Sequence, residues 1–363
     1  MRSFLTRAGG NAGFTLVELL VTTAITVIVM AGTLVAFTHA MRANEAAVLS
    51  LGMNGSLGTA VDLMVRDFTQ VGQGLPSTKV IAIPSGTGAS AILRPGPPAT
   101  NYTFPAGATE VAAATPGAGL GPDVNGGGPV LLTDMITVIY ADSLFDPILC
   151  NTTPAGTCAI AADGASMAFT SNTQIENGDL IMFTNSTAPG SAMQLVTSHS
   201  GTLPGQTALF AAADSLNLNQ RGTSIVGNVL DIQSSPGVFP PTTVSRIRMV
   251  SYFLDVTADP PRLMRRINAE PARTVAFGIE NLQFSYDLVN GLTNPTDVKM
   301  NATDLAGGGD CGAAPCSPNQ IRKVNLFLAA RSRSRYTATR QFFRNTLVTQ
   351  VSLRSLAFVD RYR

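Results

Sequence analysis

Residues 14–40 read FTLVELLVTTAITVIVMAGTLVAFTHA, twenty-seven positions with a single charged side chain, Glu18. As an α-helix this run is about 40 Å long, more than the roughly 30 Å hydrocarbon thickness of a bilayer. It is predicted to cross a membrane with some tilt, leaving the rest of the chain to fold on one side. Residues 1–13 carry Arg2 and Arg7 and no acid. The positive-inside bias therefore holds this leader in the cytoplasm and sends the remainder outward. A secretory signal places its small-residue cleavage site after the apolar run. Here Gly9, Gly10, Ala12 and Gly13 precede it, so cleavage at Gly13 would leave the helix on the mature chain.

The sequence Gly13-Phe14-Thr15-Leu16-Val17-Glu18-Leu19-Leu20 resembles the prepilin processing motif of type IV pilins and type II secretion pseudopilins. The resemblance implies cleavage between Gly13 and Phe14 by a prepilin peptidase and N-methylation of the new amine on Phe14. Gly13 has no side chain to obstruct the approach of the scissile bond to such a peptidase. Glu18 is the exception in the apolar run, and a carboxylate at membrane depth costs about 2.5–3.5 kcal/mol on insertion scales. Such a charge needs a partner, and the family implies the N-terminal amine of a neighbouring subunit, which would set axial register during assembly. The plainer reading is a signal anchor whose Glu18 reaches interfacial water. That reading leaves the Gly-Phe junction and the offset of the Glu as coincidences. Many major pilins carry a proline where Val35 stands, and this chain has none before Pro76, which favours a minor subunit over a bulk filament subunit.

Beyond the run, Leu49, Met53, Leu57, Val61, Met64, Phe68 and Val71 recur at gaps of three or four, a helical period. The helix is expected to continue amphipathically through residues 41–74, its stripe packed on a globular domain and Asp62 paired with Arg66 outside. Gly52, Gly55 and Gly58 each weaken a helix by about 1 kcal/mol and mark the place for any bend or melted turn. Residues 84–129 are dense in Gly, Pro, Ala, Ser and Thr. They predict a long loop that builds no core, with a short strand at 91–93 or 109–112 at most.

Runs at 134–140, 179–184, 192–198 and 229–232 read as strands, and the last third adds 246–257, 261–268, 279–288, 321–332 and 347–356. The first two of these five, separated by Ala258-Asp259-Pro260-Pro261, read as a hairpin. This C-terminal succession, with Tyr252 and Leu263-Met264-Arg265 in the hairpin, IENLQFSY at 279–286, VNLFLAARS at 324–332 and VSLR at 351–354, resembles PilW-type minor pilins and the J-type minor pseudopilin of type II secretion.

Cys150 and Cys158 form one close pair in sequence and Cys311 and Cys316 another, while the two histidines, His39 and His199, lie near neither. In an extracytoplasmic compartment two local disulfides are the default, with cross-pairing between the loops left open. Asp297, Asp304 and Asp310 share a loop with Asn294, Asn301 and three glycines. They lack an ordered calcium-ligand register and read as solvated turn residues. No nucleophile has a base within a recognisable motif, and the glycine-rich stretches lack the helix start and lysine of a phosphate loop. Neither an enzyme nor a cofactor is expected.

The net charge of +1 conceals an asymmetry: residues 43–244 hold 4 basic and 13 acidic side chains, net −9, and residues 245–363 hold 17 and 9, net +8. Pairing within the molecule ranks first as its explanation, contacts between subunits second, and DNA binding last.

The fold class expected is α+β and pilin-like: a long N-terminal helix, transmembrane then amphipathic, packed on a mainly antiparallel β domain. The organisation expected is a leader at 1–13, a transmembrane helix at 14–40 and its amphipathic continuation at 41–74. Gly/Pro-rich loops with a variable β region follow at 75–244, and a C-terminal antiparallel region at 245–363. The function implied is that of a minor pilin that initiates, assembles or caps a type IV pilus. A minor pseudopilin of a type II secretion system is the first alternative, and a membrane-anchored adhesin or ligand-binding module the second. The partners implied are a prepilin peptidase, other minor pilins and the major pilin (or pseudopilins), the inner-membrane assembly platform and membrane lipid. The location implied is the inner membrane, single-pass with the C-terminal domain in the periplasm, then the pilus or pseudopilus.

Overall fold

The computed structural model describes residues 13–76, 81–97, 102–104, 108–125, 128–151, 158–170, 174–202, 204–222, 224–288, 296–298 and 318–357. The N-terminal helix runs from Leu16 to Gln70, 55 residues, or about 80 Å at 1.5 Å per residue. Residues 13–44 are exposed throughout, as an apolar run with no protein partner must be. The half that packs buries Met53, Leu57, Ala60, Met64, Asp67 and Phe68, of which Met53, Leu57, Met64 and Phe68 belong to the stripe read from its period. Gly52, Gly55 and Gly58 stay helical, so no turn melts at the place they mark for one. A Cβ at any of the three would meet nothing within 4 Å, and the buried residues interleaved with them, Met53 and Leu57, pack the segment against the domain. Exposed Asp62 and Arg66 do not close the expected ion pair.

The helix stops where Val71 leaves helical geometry, its N–H donating to the Phe68 carbonyl at 3.3 Å. Gly72 and Gly74 follow at φ +79° and +69°, the left-handed conformation that side chains resist. A Cβ on Gly74 would lie 2.5 Å from that of Ala141. The Gly72 N–H donates to the Ile139 carbonyl at 3.0 Å, which joins the end of the helix directly to the sheet beneath it.

That sheet has eight strands among the described residues and is organised by the 14-residue strand Thr242–Asp255. On one side this strand pairs first with Ile148–Cys150 and then with Met135–Ala141. On the other it pairs with Leu180–Thr184 and then with Arg262–Ile267. Ser191–Leu195, Arg273–Phe277 and Ala114–Gly117 complete it. A second sheet orders Thr296–Val298, Ile279–Leu288, Ile321–Arg331 and Arg344–Ser352. A third joins Ser198–Ser200, Thr207–Leu209, Ser166–Phe169 and Cys158–Ile160. Pairing within all three is antiparallel. The arrangement is α+β, with a long apolar N-terminal helix ahead of a mainly antiparallel β domain.

Successive side chains on a strand point to opposite faces, and the Leu180–Thr184 strand shows what that does here. Leu180 and Met182 enter the core that also takes the helix, whereas Ile181 and Phe183 enter a second core with Cys150, Cys158, Phe169, Phe210 and Val244. A strand covered on both faces reads as a continuous apolar run, as DLIMFT does. In the first core Phe68 meets Tyr252 and Phe284 edge-on, ring centroids 6.0 and 6.2 Å apart. The helix is thereby seated on the first two sheets at once.

Three further expectations are corrected. Residues 84–129 do contribute to the core, through Ile92, Phe104, Val111, Ala113 and Ala114. The few large apolar residues spaced through the Gly/Pro background are the ones turned inward. Residues 229–232 form a 3-10 helix and not a strand. The Asn228 side chain accepts from the Leu230 N–H at 2.8 Å while Asp231 accepts from the N–H of Asn228 at 3.2 Å, so capping overrides the β-branched composition. Val229 and Ile232, three apart, are both buried, as a 3-10 turn aligns them. The last predicted strand begins earlier, at Arg344, and ends at Ser352, followed by a short helix, Arg354–Ala357.

Candidate functional site

Gly13 and Phe14 precede the helix in irregular, exposed chain. Phe14 is 82% exposed, and nothing lies within 4 Å of where a Gly13 Cβ would be. Thr15 is the N-cap. The Glu18 N–H donates to Thr15 Oγ1 at 3.2 Å, and the Thr15 N–H and hydroxyl donate to Glu18 Oε2 at 3.0 and 2.9 Å. This is a reciprocal capping box, so the carboxylate that stands out in the sequence is folded back on the first turn. Glu18 Oε1 accepts no hydrogen bond among the described residues. Five threonines of the apolar run, Thr22, Thr23, Thr26, Thr33 and Thr38, each donate to a carbonyl three or four residues back at 2.7–3.0 Å. Their hydroxyls are thus satisfied without water, which a bilayer requires. The helix is long and apolar enough to cross a membrane by length and composition.

The prokaryotic N-terminal methylation motif matches residues 9–34. This is the signal of type IV pilin-like and pseudopilin proteins. It implies processing by a prepilin peptidase and assembly with other pilins, and together with the long apolar helix it fits membrane anchoring. No curated protein matches the chain.

The helix is fastened to its β domain by a carboxylate that the sequence reading passed over. Asp67, 2% exposed, accepts from Arg265 Nε at 2.7 Å and Nη2 at 3.0 Å, from the Tyr140 hydroxyl at 2.9 Å and from the Tyr252 hydroxyl at 2.5 Å. Three strands meet on one helical side chain. Burial, then the Asp67 charge, pushes the phenols of Tyr140 and Tyr252 well above their ordinary range. Burial works against the Arg265 guanidinium, but the hydrogen bonds and charge of Asp67 prevail and raise it further. The available signal was an acid placed inside an otherwise apolar stripe, beside Phe68.

A second carboxylate, Asp142, accepts from Arg246 and Arg248 at 2.9 and 3.1 Å, and Arg246 also reaches Asp179 at 3.3 Å. Burial disfavours the Asp142 charge, yet the Leu144 amide and the two guanidiniums hold its pKa below the ordinary range. These contacts and Arg265–Asp67 join acids from the −9 segment to arginines from the +8 segment. Pairing within the molecule therefore accounts for part of the asymmetry.

The Cys150–Cys158 disulfide is formed, Cα atoms 4.6 Å apart, both cysteines buried in the second core. Cys311, Cys316, Asp304, Asp310 and the leader residues Arg2 and Arg7 lie outside the described residues, and of Asp297 only the backbone is described. Among the described residues no three His, Cys, Asp or Glu side chains gather as a metal site. His199 is exposed, its Nδ1 2.9 Å from Asn177 Oδ1.

Proposed function

We propose that this chain is a minor pilin of the PilW type, which helps to initiate, assemble or cap a type IV pilus. The observation that carries the reading is the processing sequence at Gly13–Phe14, followed at once by an exposed apolar helix with one carboxylate and then by the β domain. A prepilin peptidase cleaves between Gly13 and Phe14 and methylates the Phe14 amine. The retained helix holds the subunit in the inner membrane with the domain on the periplasmic side. Glu18 then recruits the N-terminal amine of a neighbouring subunit. The capping box supports this role physically: Oε2 is committed to Thr15, which orients the group, and Oε1 keeps its acceptor capacity.

The test is mass spectrometry of the protein from cells with and without prepilin peptidase. The expected product begins at methylated Phe14 only when the peptidase is present. An intact Met1 in peptidase-positive cells would overturn the proposal. Glu18→Ala is expected to be processed normally and to fail in assembly. The same chemistry serves a minor pseudopilin of type II secretion, and loss of piliation against loss of secretion in a deletion strain separates the two.

A further inference from the structure

The loop between the strands Ile321–Arg331 and Arg344–Ser352 reads SRSRYTATRQFF over residues 332–343, with three arginines and no acid. The arginines at its two ends are neutralised: Arg331 pairs with Asp259 and Glu280, and Arg344 with Glu280. Arg333, Arg335 and Arg340 are exposed, and among the described residues none of them forms an ion pair. The loop is nonetheless ordered by its own contacts. The Arg340 N–H donates to the Tyr336 carbonyl at 2.8 Å, Tyr336 packs on Phe343 at 5.3 Å, and Arg335 lies 5.2 Å over the Phe342 ring.

Its height on the helix is fixed by two contacts. Asn345 Nδ2 donates to Asn54 Oδ1 at 2.9 Å, and the Thr337 N–H and hydroxyl donate to Glu45 Oε1 at 3.0 and 2.6 Å. From strand to loop tip the chain therefore descends nine helical residues toward the N-terminus, about 13 Å. Glu45 lies five residues past Ala40, where the apolar run ends, or about 7.5 Å along the axis. The headgroup layer outside the hydrocarbon is roughly 5–7 Å deep. If residues 14–40 span the membrane, as the proposed function requires, the loop tip sits at the outer edge of the headgroup layer, within reach of an arginine side chain.

We propose that Arg333, Arg335 and Arg340 dock this loop on anionic phospholipid headgroups of the membrane that holds the helix, fixing the attitude of the β domain before assembly. Charge and position both favour lipid over a soluble partner: none of the three cations has an ion-pair partner among the described residues, and Arg335 and Arg340 flank in sequence Thr337, which the Glu45 contact sets toward the bilayer, while Arg333 stands farther from it, beside Gly52 and Met53. Each arginine at an anionic surface contributes about fivefold, so removing three shifts the docked-to-undocked ratio by about 100-fold.

The test uses the full chain in nanodiscs of phosphatidylcholine alone or mixed with phosphatidylglycerol, reading amide hydrogen exchange over residues 332–343. Protection is expected in the anionic discs only, reversed by salt. It should be lost in Arg333→Gln/Arg335→Gln/Arg340→Gln and kept in the corresponding triple Lys variant. Equal exchange in both lipids, or protection that survives the triple Gln change, overturns the proposal. So does salt-dependent DNA binding through these arginines without lipid dependence. Protease protection of residues 14–40 in the same discs keeps the two readings apart. An unprotected helix refutes the membrane reading, whereas a protected helix with a lipid-indifferent loop refutes the docking alone.

Discussion

Asp67→Asn is the most informative single change, because it alters charge and hydrogen-bond sense while leaving volume untouched. The carboxylate accepts four hydrogen bonds, two from Arg265 and one each from Tyr140 and Tyr252. An asparagine offers one oxygen and presents an NH2 where every partner now donates, and the Arg265 guanidinium can only donate. Two acceptor positions are lost, and a guanidinium whose side chain is 16% exposed is left without its counter-charge. Removing one partner of a buried ion pair costs about 3–5 kcal/mol. At roughly 2–4 °C per kcal/mol for a domain of this class, the thermal midpoint should fall by about 10 °C. Far-UV circular dichroism of the detergent-solubilised chain reads the β domain directly. Arg265→Gln, combined with Asp67→Asn in a double-mutant cycle, should cost well less than the sum of the single changes. A midpoint within about 1 °C of the parent, or strict additivity in the cycle, would refute the view that this carboxylate fastens the helix to the sheets.

Three further outcomes follow from particular residues. Burial raises the phenols of Tyr140, Tyr252 and Tyr286 above their ordinary value near 10. Their contribution is therefore complete below pH 10 and is lost above it, as the unfolded chain releases protons that the folded chain retains. Three such groups give a slope of about 4 kcal/mol per pH unit there, and denaturant midpoints at pH 9, 10 and 11 that fail to fall would contradict it. Replacing Cys150 and Cys158 with Ser opens a loop closed over 8 residues of sequence separation and should cost about 2–3 kcal/mol on the chain-entropy account. A loss below 1 kcal/mol in urea unfolding would show that the second core holds that loop unaided. Gly278 has φ +77°, and a Cβ there would lie 2.5 Å from the Arg331 carbonyl oxygen. Gly278→Ala should cost about 2 kcal/mol or more, while an unchanged melting temperature would mean that the strand crossing is slack.

Sequence periodicity carried the helix because a stripe at gaps of three and four can bury only one face, and that face is the one from Met53 to Phe68. The hairpin joining Val250–Leu254 to Arg262–Arg266 was legible for a similar reason: alternation flanks a Pro-Pro turn, and the observed register sets Leu254 opposite Leu263. The strand Arg273–Phe277 was missed, since RTVAF is too short to show a period of two. The contribution of residues 84–129 to the core was missed because Ile92, Phe104 and Val111 are single apolar residues whose partners lie on distant strands. The disulfide was legible as a local pair, and the structure closes Cys150 to Cys158. Asp67 was hidden by its own environment: only when Tyr140, Tyr252 and Arg265 converge does a carboxylate in an apolar stripe become favourable.

The sequence by itself determined the N-terminal organisation. A run of twenty-seven residues with one charge, preceded by Gly13, encodes an exposed apolar helix through composition alone, and no long-range contact is needed to read it. Tertiary structure decided how that helix is held and where its neighbours stand. The side chains that accept it come from positions 140, 252, 265 and 284, and only strand pairing brings them together. The same pairing carries the arginines of residues 332–343 to the level of Glu45, although nearly 300 residues of chain separate them. Local composition is sufficient where the solvent does the sorting. Where buried polar groups must find partners, the partners are set by the fold.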